Sequence, residues 1–213
     1  MRLTSSAASE CVRVPVERVA SRRALLTAGA GLGLSVLAAA PLVGRLVRVD
    51  EAIAAPSKAQ DARILQLVLA LEYTQVAFYE QALRDARLTP ELHEFAQTAL
   101  EHERAHLAAI QKALGAQAGP KPTFQFGAKT KSADAFVRAT IQLEDIAVAG
   151  YNGQATNLTR PTLAAAAEIV SVEARHAAWI RALAGDVAAP DPVDKPMTAQ
   201  QVAQGLREIG MRA

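Results

Sequence analysis

Cysteine is nearly absent from this chain, and the single one, Cys11, lies in the N-terminal segment. The body that follows can form no disulfide and offers no thiolate ligand, although so little cysteine fits an oxidising or a reducing compartment equally well. Aromatic residues are also scarce, at 4%, against 51% hydrophobic residues and abundant alanine. That balance disfavours sheets, which draw on β-branched and aromatic side chains, and suits close-packed helices. Charge of one sign is missing from the body as well. The formal net charge is +2, but residues 1–54 hold seven Lys/Arg against four Asp/Glu, leaving 16 against 17 for residues 55–213. A near-neutral body without a basic patch gives no reason to expect nucleic-acid binding.

The chain opens with a polar, net basic stretch ending in Ser21-Arg22-Arg23, followed by a run from Ala24 to Gly44 without one charged residue. Paired arginines before a weakly hydrophobic stretch resemble a twin-arginine export signal, with Leu25-Leu26 after the arginines and Thr27 in place of the usual lysine. That resemblance implies the Tat export machinery as a partner and a periplasmic or cell-envelope location. The run is also long enough to span a bilayer, so an uncleaved segment would act as a membrane anchor, and a misplaced start codon is the other reading. Ala38-Ala39-Ala40 and Ala52-Ile53-Ala54 both offer small residues for cleavage.

Residues 55–185 read as four long helices. The first, over 61–86, places Leu65, Val68, Leu69, Glu72, Val76, Tyr79 and Leu83 on one face. Thr89, Pro90 and Glu91 start a second helix that stops before Gly115, and the short break between the two predicts an antiparallel pair. Its stripe is Ala96, Ala99, Glu103, His106, Leu107, Ile110 and Leu114; His102 flanks that stripe and reads first as a surface residue, with support of a neighbouring ligand as the other reading. Residues 115–131 carry glycines, prolines, three lysines and the pair Phe124 and Phe126, enough chain to cross the bundle and make helices two and three parallel. Ser132 caps helix three, with Val137, Thr140, Ile141, Glu144, Val148 and Tyr151 as its stripe. Helix four follows Pro161, with Ala166, Ile169, Val170, Glu173, His176, Ala177, Ile180 and Leu183. Residues 186–213 are a proline-rich tail in which Thr198 caps a short helix presenting Val202, Leu206 and Ile209. The fold class expected is all-α: a four-helix bundle with a long crossover between helices two and three, plus a short C-terminal helix.

Two halves repeat one pattern. Glu72 is followed seven positions on by Tyr79 and later by Glu103 and His106; Glu144 is followed seven on by Tyr151 and later by Glu173 and His176. Within Glu103-Arg104-Ala105-His106 and Glu173-Ala174-Arg175-His176, a carboxylate and an imidazole three residues apart leave one helix face about a turn apart. A lone glutamate on an apolar stripe is usually a boundary residue. Four carboxylates in core register on four successive helices are not, because unpaired charge is costly to bury. Two divalent cations would balance that charge, and a site of carboxylates and imidazoles without thiolate suits Fe or Mn, with Zn accessible by affinity.

With those motifs in hand, residues 60–185 resemble the ferritin-like superfamily, particularly bacterioferritin-type di-iron carboxylate sites and exported ferritin-like proteins related to desiccation-associated ones. The resemblance implies two metal ions, iron first and manganese second, with Glu103 and Glu173 as bridges. Glu72 and Glu144 would be terminal carboxylates, and His106 and His176 terminal nitrogen ligands. It also implies a role for Tyr79 beside the metals, as a catalytic group, and an electron-supplying role for Trp179, with Tyr151 the mate of Tyr79. The bland reading of all three aromatics is core packing with the polar tip satisfied. The function implied is reaction with oxygen or peroxide in iron or oxidative-stress handling. A homo-oligomer is left open, and the signal, proline-rich tail and Ala-rich helices depart from cage-forming ferritins and argue against a storage shell. A manganese catalase-like enzyme and a non-enzymatic envelope scaffold are the competing readings.

Overall fold

The computed structural model describes residues 55–212; the expected export segment, residues 1–54, lies outside them. Side-chain caps set where the helices begin. Ser57 accepts from the Gln60 amide ahead of α1 (Lys58–Asp85), and Thr89 accepts from the Leu92 amide ahead of α2 (Pro90–Leu114), whose first residue is the expected proline. Ser132 caps α3 (Ala133–Gln154), and Thr198 forms a reciprocal capping box with Gln201 at the start of α5 (Ala199–Ile209). Thr159, ahead of α4 (Arg160–Leu183), makes no local cap. Its backbone amide and hydroxyl both donate to Asp61 of α1, which also accepts from the Thr162 hydroxyl at 2.7 Å. Burial alone would raise the Asp61 pKa, but these three hydrogen bonds outweigh it and hold the carboxyl below its usual value.

Pairs of side chains reveal the helix directions. Arg104 reaches Glu80 and Gln111 reaches Tyr73, so α1 and α2 are antiparallel. Tyr79 meets Glu144 while Tyr151 meets Glu72, so α1 and α3 are antiparallel too. Helices α2 and α3 therefore run parallel, as the length of the crossover requires. Within the crossover, Phe126 is buried edge-on against Phe78 at 5.3 Å, and Phe124 stacks on Phe126 at 5.6 Å. A two-residue antiparallel ribbon, β1 (Thr123–Phe124) with β2 (Met211–Arg212), ties the crossover to the C-terminus.

The tail docks on the bundle. Val202, Leu206 and Ile209 of α5 are fully buried, and the Met197 amide donates to the Ala149 carbonyl at 2.9 Å. The helix interior of α3 is glycine where this segment passes, because a Cβ on Gly153 would lie 1.9 Å from the Met197 carbonyl oxygen.

Burial departs from the expected stripes: in α3 Phe136, Leu143, Ile146 and Ala147 are buried while Val137 and Ile141 are half-covered, and in α2 Leu92, Phe95 and Leu100 join the buried set. In α1 the buried set runs nearly all the way round, adding Leu71, Tyr73, Thr74, Gln75 and Phe78, because α2, α3, α5 and the crossover all cover it. In α4 only Glu173, His176, Ala177 and Ile180 are buried; Ala166, Ile169, Val170 and Leu183 are half-covered. Ala166 and Ile169 line a cavity of about 470 Å³ between the N-terminal half of α4 and α1 and α2. No helix among the described residues is long and apolar enough to cross a membrane.

Candidate metal centre

Each of the four long helices delivers one carboxylate to the same interior point, and Glu72, Glu103, Glu144 and Glu173 are all 0% exposed. The spacing of three residues then brings His106 beside Glu103 and His176 beside Glu173. His106 Nδ1 lies 2.9 Å from Glu173, 3.1 Å from Glu103 and 3.6 Å from Glu72. His176 Nδ1 lies 3.1 Å from Glu103, 3.6 Å from Glu144 and 4.0 Å from Glu173. These contacts sort into two clusters: Glu72, Glu103, His106 and Glu173 make one, and Glu103, Glu144, Glu173 and His176 the other. In each, one donor atom from every residue falls within 4.8 Å of the rest. Glu103 and Glu173, common to both clusters, are the pair that the resemblance makes bridges.

The tyrosines cross between the halves. Tyr79 of the first half donates to Glu144 of the second, and Tyr151 of the second donates to Glu72 of the first at 2.6 Å. Both phenols are buried, and burial together with the neighbouring carboxylates pushes their pKa values well above the ordinary range, so each stays a donor. Trp179 packs edge-on against Phe95 at 5.1 Å, and Phe95 in turn sits edge-on to Tyr79 and to His176. Those contacts are what core packing asks of an indole.

Two polar residues join the cluster beyond the six expected ligands: Gln75, which the sequence reading does not single out, and His102, for which support of a ligand is the lesser of two readings. Gln75, one turn beyond Glu72, donates to Glu173 at 2.9 Å and approaches both Glu144 oxygens at 3.4 Å. Its signal was available, since a glutamine three residues after a buried glutamate must share that face. His102 is exposed, as expected, yet its Nδ1 lies 2.9 Å from His176 Nε2.

Electrostatics show how such a site persists without cations: it keeps protons. Burial would hold His106 neutral, but Glu103, Glu173 and Glu72 outweigh it and push its pKa up to about 12. His176 follows for the same reason, to about 10, with Glu103 and Glu144 against the burial penalty. Glu103 resists burial because both imidazoles lie against it at 3.1 Å, and falls to about 2. Glu72 is pushed up to about 8 by burial, and Glu173 is raised well above the usual range, by burial first and Glu103 second. Protons on two imidazoles and on two carboxyls thus occupy positions where a divalent cation would serve several donors at once.

The donor set fits metal ions on a second ground. Glu72 Oε2, Glu103 Oε1, Glu173 Oε1 and His176 Nδ1 are buried without a hydrogen-bond partner among the described residues. The His176 Nδ1 approach to Glu103 is close in distance yet misaligned as a hydrogen bond. Four buried polar atoms without a hydrogen-bond partner at one point are costly unless a further group takes them up, and a cation that displaces the protons would do so.

Comparison with known proteins adds one positive finding. The family model described as "Ferritin-like domain" matches residues 60–186, more than half of the chain and all of the four-helix bundle but the first two residues of α1. A search of curated proteins finds no match.

Proposed function

We propose that the chain, which belongs to the ferritin-like domain family, holds two metal ions, most simply iron, and uses them to reduce oxygen or peroxide. The observation that carries this reading is the pair of overlapping four-donor clusters sharing Glu103 and Glu173. Oxygen and nitrogen donors of this kind suit Fe or Mn, and a bound redox metal pair would supply the electrons for reducing the oxidant.

The residues themselves do the remaining work. Glu103 and Glu173 offer an oxygen to each cluster, while Glu72 with His106 and Glu144 with His176 complete the two ends. Tyr79 and Tyr151 each hold one oxygen of the opposite half's terminal carboxylate, which fixes that group's rotamer and leaves its other oxygen free to bind. Gln75 does the same from α1 for Glu173. Phe95, fully buried and edge-on to both His176 and Tyr79, helps keep bulk water from the site. Tyr79, whose hydroxyl donates to Glu144, is a buried hydroxyl placed to give a proton or hydrogen atom near the site.

The test is metal content and oxygen chemistry on one preparation. Protein purified anaerobically should take up two Fe(II) per chain and consume oxygen on exposure to air. A protein that binds no Fe(II) would overturn the reading. Oxygen evolution from peroxide only when Mn is loaded would turn it toward a catalase-like function. Export rests on residues 1–54 alone: a reporter fused after residue 54 should reach the periplasm or envelope through the Tat machinery and stay inside when Arg22 and Arg23 are replaced by lysine.

A further inference from the structure

The two halves match ligand for ligand, but what surrounds them does not. One residue before Glu103 stands His102, while one residue before Glu173 stands Val172. The second imidazole therefore exists on one side only. His102 Nδ1 lies 2.9 Å from His176 Nε2, and the two ring planes differ by 11° with centroids 5.2 Å apart. That nitrogen separation plus the two ring radii accounts for the centroid distance, so the rings meet edge to edge in one plane, as a hydrogen bond requires, and not face to face. His106 has no such partner: its contacts to protein groups among the described residues all run through Nδ1.

We propose that His102 is a positioning residue that makes the two metal positions unequal, so that the one served by Glu144 and His176 fills first. The inference rests on the two-metal reading above. To give a cation the Nδ1 lone pair, His176 must carry its proton on Nε2, and His102 Nδ1 is the acceptor for that proton. The contact selects the tautomer that binds, holds the ring in the plane that points Nδ1 at Glu103 and Glu144, and makes the imidazole a better donor. A partner of this type on a ligating histidine is worth roughly 10–100-fold in metal affinity. Nothing among the described residues does this for His106, whose Nε2 has no protein partner among them.

Calorimetric titration of metal-free protein with Co(II) tests the inference, because it reads binding and not turnover. Wild type should bind two ions with distinguishable affinities. His102→Ala should weaken the tighter one by roughly 10–100-fold and leave the weaker one within error. His102→Asn, whose side-chain oxygen can stand near the position of Nδ1, should restore most of the difference. Two equal affinities in wild type, an unchanged His102→Ala titration, a parallel loss at both ions, or no rescue by asparagine would each overturn it. Loss of the fold in His102→Ala, seen by circular dichroism, would make the residue structural and overturn it too. A wild-type protein that binds no Co(II) and no Fe(II) would instead fail the two-metal reading itself.

Discussion

Replacing Glu72 by glutamine should make the metal-free protein more stable, which is the opposite of what removing a buried hydrogen-bonded side chain normally does. Burial pushes the Glu72 carboxyl from an ordinary 4.5 up to about 8. At pH 7 it is then protonated in the fold and ionised in the unfolded chain, and wild type loses stability as the pH climbs between those two values. Each pKa unit is worth about 1.4 kcal/mol, so at pH 7 the ceiling on the penalty is about 3 kcal/mol. An amide carries no such penalty. It keeps an acceptor for Tyr151. Part of the gain is returned in desolvating that amide, but for a domain of this size even half of it raises Tm by about 3–6 °C. Thermal unfolding in chelator, followed by circular dichroism at several pH values, should show the variant ahead at pH 7. The gap should close as the pH falls toward 4.5, where the wild-type carboxyl is protonated in both states. Adding Mn(II) or Fe(II) should reverse the order. An ion at a hundred times its Kd stabilises the fold by about 3 kcal/mol, and the variant has lost one charged ligand for it. If Glu72→Gln is the less stable protein in chelator at pH 7, the buried carboxylates are structural and the metal argument fails.

Protons and cations should compete for the same atoms. With His106 and His176 held at about 12 and 10 in the cation-free protein, loading both metals at pH 6–7.5 must expel at least the two imidazole protons, so affinity should rise with pH and buffer-dependent calorimetry should count them. Tyr151→Phe leaves a Glu72 oxygen without its donor and should cost about 1.5–3 kcal/mol in the metal-loaded protein by denaturant unfolding. Gly153→Ala forces a methyl group onto the Met197 carbonyl, so the tail must lift; cleavage by a protease within residues 186–196 should quicken, with the bundle left folded. Phe126→Ala removes the ring that seats the crossover on Phe78 and should destabilise by about 3–5 kcal/mol.

What could be read before any coordinates were in hand was whatever one helix decides by itself. Periodicity placed Glu72, Glu103, Glu144 and Glu173 in core register because the apolar residues on either side mark the inward face. Thr89 and Ser132 announced helix starts because a hydroxyl satisfies amides that nothing else in the helix can. The tail helix was legible from Val202, Leu206 and Ile209 for the same reason. What could not be read was how many neighbours each helix has. Leu71 and Phe78 of α1 point away from the stripe, and only the arrival of α5 and the crossover buries them. Ala166 and Ile169 look like core residues on a helical wheel, yet the cavity beside α2 leaves them half-covered. His102 was open to misreading for a subtler reason. It is exposed, as its flank position implies, and touches His176 as well, and no rule about one helix states both facts.

The cross-paired tyrosines show what the repeat accomplishes physically. A single helical pair carries two carboxylates and one imidazole, too few to surround a divalent ion, and its tyrosine points at the other pair's carboxylate. His106 draws on Glu173 and His176 draws on Glu103, so each imidazole also faces the opposite half. Neither cluster can close within one helical pair. Assembly of the two pairs and assembly of the site are therefore one event. Cations that favour the closed site must favour the whole bundle, which ties metal loading to the stability of all four helices and not to a local loop. The asymmetry carried by His102 and Gln75 is then superimposed on a frame whose ligands are symmetric: Val172 and Ala147 occupy the equivalent positions, and neither can donate or accept through its side chain. A frame that needs both halves in order to fold can tolerate unequal surroundings at its two ends, because the shared carboxylates Glu103 and Glu173 keep the ends together whichever fills first.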